Sequence, residues 1–69
     1  MENKKKVELM EIALKHIEKG YDKEEMFYGD DLYDATPEEQ DLCSDFYKEC
    51  MRIGTVAFQE KITALDKTK

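Results

Sequence analysis

Thr36-Pro37-Glu38-Glu39 is the stretch that decides the fold. The Thr36 hydroxyl can accept from the free N–H groups of a first helical turn. Pro37 at the first helical position has no N–H to leave unpaired, and Glu39 completes a capping box. A helix therefore starts here, and no stop signal intervenes before Lys67. The sequence predicts one helix over 37–66, about 30 residues or roughly 45 Å long. Gly54 lies inside it at a cost of about 1 kcal/mol relative to alanine, so a kink or a close helix contact is expected there.

Turned at about 100° per residue, this long helix carries two apolar stripes. Leu42, Phe46, Cys50, Ile53 and Ala57 form one. Tyr47, Met51, Gly54, Phe58, Ile62 and Leu65 form the other, displaced by roughly a third of a turn.

Upstream, Val7, Met10, Leu14, Ile17 and Tyr21 recur at spacings of three and four, which predicts a helix over 4–19. Lys15 and Lys19 suit its negative end, and Gly20 is placed to close it as a left-handed cap. Between the two helices, Asp22 can cap a short helix over 23–28, with Glu25 completing a capping box and Gly29 ending it. The expected fold is all-α and a single domain over 1–69: two main antiparallel helices and a short connecting helix. One short N-terminal helix covers only one stripe of the long one. The stripe Met51, Gly54, Phe58, Ile62 and Leu65 is then left for a second copy, as a homodimer.

Size points the same way. A chain of 69 residues buries only about 60% of the surface its unfolded form exposes, and small domains usually need a further source of stability. Cys43 and Cys50 are too few for a disulfide framework. With His16 alone beside them they do not make a zinc set. Association is the remaining remedy. The charged start Lys4-Lys5-Lys6 is followed by Glu8, Glu11 and Lys15 instead of an apolar secretory core. No run approaches the roughly 20 apolar residues of a membrane span. A cytoplasmic location with reduced thiols is expected, with no membrane partner.

The net charge of −6 is unevenly distributed. Residues 1–21 balance at +1 and residues 50–69 at +2, while residues 22–49 carry −9. All four tyrosines and two of the three phenylalanines lie in or beside that acidic stretch. Tyrosine suits interfaces because a large ring is buried while its hydroxyl stays wet. Dense carboxylates attract basic surfaces and speed encounter with them. Nucleic-acid-binding proteins are the commonest owners of such surfaces. The expected binding residues are Tyr28, Asp30, Asp31, Tyr33, Asp34, Glu38, Asp41, Asp45 and Tyr47. The plainer reading is that the carboxylates solvate a loop and a helix face while the aromatics fill the core.

Other constellations read as structural. Direct nucleic-acid binding is disfavoured by a sequence pI near 4.7, and Lys4–Lys6 read as a solvated helix end. The clusters Asp22/Glu24/Glu25 and Asp30/Asp31/Asp34 do not fit a calcium loop, which needs glycine at its sixth position and glutamate at its twelfth. His16 falls opposite the Val7–Ile17 seam and is expected at the surface or at a helix end. Cys50 reads as core and Cys43 as core-flanking. No phosphate loop, nucleophile elbow or zinc-protease motif is present. The sequence thus predicts a protein that is not an enzyme and takes no cofactor or metal. It would inhibit or modulate a basic nucleic-acid-handling protein, in the manner of small acidic products of phages and mobile elements. The alternative is a structural or assembly protein, a helical homodimer or a helix-helix complex with a partner, whose acidity serves solubility only.

Overall fold

The computed structural model describes residues 3–20 and 35–67. Those residues form three helices and no strand: α1 (Asn3–Glu18), α2 (Pro37–Ile53) and α3 (Thr55–Asp66). The short helix expected over 23–28 lies outside the described residues.

Local signals set two of the helix ends as the sequence implies. Thr36 Oγ1 accepts from the Glu39 N–H at 3.1 Å, and Glu39 Oε1 accepts from the Thr36 N–H at 2.9 Å. Gly20 closes α1 at φ 75°, its N–H donating to the Ile17 carbonyl at 3.0 Å. The N–H of Thr36 holds the Glu39 carboxyl below the usual glutamate range, helped by Lys5, whose Nζ lies 3.6 Å away.

A carboxyl depressed on folding contributes stability above its unfolded-state value, and the contribution fades as pH falls through the lower folded value. Replacing Thr36 with alanine removes the Oγ1 acceptor of the cap and should cost about 1 kcal/mol at neutral pH, read by urea denaturation. Glu39→Gln should flatten the acid limb of the stability profile, and an acid limb identical to that of the parent would contradict this role for Glu39.

The long helix expected over 37–66 is interrupted. Gly54 sits at φ 94°, ψ 157° between α2 and α3, a region that only glycine enters readily. The physical reason lies in the two stripes. A continuous helix would keep them a third of a turn apart. The break at Gly54 resets the phase instead, so Phe58, Ile62 and Leu65 come round to the face that carries Phe46, Cys50 and Ile53. The apolar residues after Gly54 and those of the first stripe before it share one inward face, and Phe46 meets Phe58 edge to face at 6.2 Å.

α1 runs through the centre of the bundle. Val7, Met10 and Leu14 join Cys50, Phe58 and Ile62 in one cluster, while Leu9 and Ala13 join Cys43 in a second. On the helix wheel these two sets of α1 residues are roughly 110° apart. More than half of the circumference is covered, leaving Lys4, Glu8, Glu11, Lys15 and Glu18 outside.

Contacts between α1 and α2 progress in the same order along both helices. Lys5 pairs with Glu39, and the Cys43 thiol donates to the Leu9 carbonyl at 3.5 Å. The two helices thus point the same way, where an antiparallel pair was expected. The break at Gly54 divides the expected long helix into a part that runs with α1 and a part, α3, that starts beside the end of α1 and returns along it. The first turns of α3, at Thr55, Val56 and Gln59, lie beside Leu14 and Glu18 near the end of α1. Across the corner, Glu49 is shared by Lys61 at 2.6 Å and Arg52 at 3.7 Å.

Candidate protein-binding face

The outward face of α2 follows from its helical period. Glu38, Asp41, Asp45, Lys48 and Arg52 recur at three and four, and all five are exposed. Leu42, Cys43, Phe46 and Cys50 occupy the other side. The stripe is acidic over its first half and basic over its second, which suits the helix dipole. Dipole compensation alone fades within the first turn, so it accounts for Glu38 better than for Asp41 or Asp45.

Ion pairing separates the carboxylates of α2 into two groups. Glu39 pairs with Lys5, and Glu49 with Arg52 and Lys61; both are partly buried. Glu38, Asp41 and Asp45 make no ion pair among the described residues. From Glu38 to Asp45 is about 10 Å along the axis, so all three lie within roughly one Debye length at 0.1 M salt. They present a single negative strip.

The remaining expected residues fare differently. Tyr28, Asp30, Asp31, Tyr33 and Asp34 lie outside the described residues. Tyr47 is half-buried against the Leu9, Ala13 and Cys43 cluster, so its ring serves packing more than display. The expected oligomer stripe is largely internal. Phe58 is 0% exposed and Ile62 2%, and Leu65 packs against their cluster. Of that set Met51 and Gly54 are exposed, joined by Val56 on the far side of the Gly54 corner. Val56 escaped the sequence reading because it lies on neither stripe of a continuous helix.

The polar and sulfur-bearing residues of the interior are accounted for by packing. His16 is buried, not exposed, and its Nδ1 lies 2.8 Å from the Ile12 carbonyl, a hydrogen bond when the proton is on Nδ1. Leu9, Ala13 and His16 share a side of α1 that the Val7–Ile17 seam did not reveal. Cys43 and Cys50 are both free thiols in the core, Cys43 more deeply placed than its flanking position suggested. Burial, reinforced by the Glu18 carboxylate, pushes the Cys50 thiol up. Both cysteines should react with a thiol reagent at least about a hundred-fold more slowly in the native chain than in urea, because attack requires opening of the core. Equal rates in the two states would contradict this packing.

Among the described residues no three His, Cys, Asp or Glu side chains gather as a metal site, and no helix is long and apolar enough to cross a membrane. The groove lined by Leu14, Glu18, Thr55, Val56, Gln59 and Glu60 is open to solvent. Comparison with protein-family models, curated proteins and solved structures returns no match for this chain.

Proposed function

We propose that the chain is a non-enzymatic binding protein that docks on a basic surface through the first half of α2, with Glu38, Asp41 and Asp45 as contacts. The observation that carries this reading is the exposure of three carboxylates on one face, without ion-pair partners among the described residues, in a stretch of sequence at −9. Held on a capped helix, they meet a cationic partner with little further ordering. The partner class is a nucleic-acid-handling protein whose phosphate-binding surface is the commonest large basic patch. Occupying that patch would inhibit or modulate the partner.

The competing reading, a homodimer through Met51, Gly54, Phe58, Ile62 and Leu65, loses support because Phe58 and Ile62 are inside the fold. A low-salt capture from lysate of the source cells, eluted with a salt gradient, separates the two. Release of a basic protein as salt rises is the expected result. Retention only of partners that survive high salt would contradict it and favour apolar assembly.

A further inference from the structure

The joint between α2 and α3 is a single residue. Gly54 still takes part in both helical ladders: its N–H donates to the Cys50 carbonyl at 2.8 Å, and its carbonyl accepts from the Phe58 N–H at 3.1 Å. Between those two bonds the ladder is open. No backbone bond runs from Thr55, Val56 or Ala57 back to Met51, Arg52 or Ile53 among the described residues. The start of α3 has no side-chain cap and no acidic residue in its first turn. The closed fold thus leaves three donors and three acceptors at the corner for water to satisfy.

Straightening Gly54 into helical geometry would pair all of them. What opposes it is the burial of Phe58 and Ile62 against Val7, Met10 and Leu14, together with the Glu49–Lys61 contact. A continuous helix of this length is about 45 Å, against a longest extent of 30 Å for the folded chain. Opening therefore carries α3 away from its own core.

A second copy of the chain restores everything that opening removes. Its α3 bears the same Phe58 and Ile62 and the same Lys61. It can seat in the vacated site with the contacts it makes at home. Short joints between exchangeable elements are where such swaps arise. We propose that Gly54 is a hinge through which the chain exchanges α3 with a second copy, giving a dimer in which 37–66 forms one helix. The partner of the buried α3 face is then this chain itself, reached by exchange and not by stacking of two closed monomers. This inference does not depend on the acidic face of α2.

Gly54→Ala tests it. An added Cβ meets no neighbour within 4 Å, so the substitution acts through backbone preference: it penalises the closed φ and favours the helix. Light scattering after size exclusion should show the dimer favoured by about ten-fold or more over the parent, with helicity increased. Zero-length carbodiimide coupling of Glu49 to Lys61 should then yield a covalent dimer joined through those two residues. Dimers that couple Glu49 to Lys61 only within one chain would overturn exchange, and so would a folded, strictly monomeric Gly54→Ala. Should Gly54→Ala not fold, the parent and a form with three flexible residues inserted after Gly54 decide the matter at millimolar concentration. A parent dimer that the insertion abolishes supports the hinge, and a parent that stays monomeric overturns it.

Discussion

Replacing Phe58 with alanine should leave most of the chain unfolded at 25 °C. The ring is fully buried, packs among Val7, Met10, Leu14, Cys50 and Ile62, and meets Phe46 edge to face. Removing a buried phenylalanine costs about 3–5 kcal/mol in transfer and cavity terms. A core in a domain of this size rarely supplies more than about 3–5 kcal/mol in total, so the loss is comparable to the whole stability. Far-UV circular dichroism with urea titration reads the outcome directly. In a continuous helix with Phe58 on an outward stripe, the same substitution would weaken association and leave the monomer folded. A cooperative transition close to that of the parent would contradict the placement of α3 against α1.

Reversing Asp41 and Asp45 to lysine should weaken partner binding by about ten-fold or more at low salt while helicity is kept. Exposed charge contacts are individually worth about 0.2–1 kcal/mol. Reversal replaces each attraction by a repulsion, so two sites together reach about 1.4 kcal/mol, or a factor of ten. Both positions lie beyond the first turn of α2, where the dipole penalty for a cation has faded. Lysine is also a better helix former than aspartate. Fold and binding therefore separate cleanly in this variant. Calorimetry against the captured partner, with circular dichroism as the control, measures both. Unchanged affinity would remove the electrostatic basis of the proposed function.

The parts of this fold that were legible in the sequence are those written in local chemistry. The Thr36–Glu39 box and Gly20 need only their own neighbours to act, and both stand as read. The outward position of Glu38, Asp41 and Asp45 likewise follows from helical period alone. What escaped depends on partners remote in sequence. Gly54 inside a periodic stretch reads as a blemish of about 1 kcal/mol, whereas burial of Phe58 and Ile62 decides that the chain turns there. The clue was present in the phase slip between the two stripes, which a single helix cannot bring to one core. His16 and Leu9 were hidden for a related reason. They lie on the second side of α1, where Leu9 is covered by Cys43, Leu42 and Phe46 of α2, residues remote from it in sequence. Tyr47 was legible only in part, because its ring also packs against the Cys43 cluster, a contact that helical period alone does not show.

The claim at the centre of this account is that the chain binds through the acidic half of α2 while α3 stays folded into the core. Hydrogen–deuterium exchange of the free chain and of its complex with the captured partner tests both halves at once. The account predicts added protection over 37–48 and no loss of protection over 55–66. Protection unchanged over 37–48, with new protection or exposure centred on Phe58 and Ile62, would contradict it.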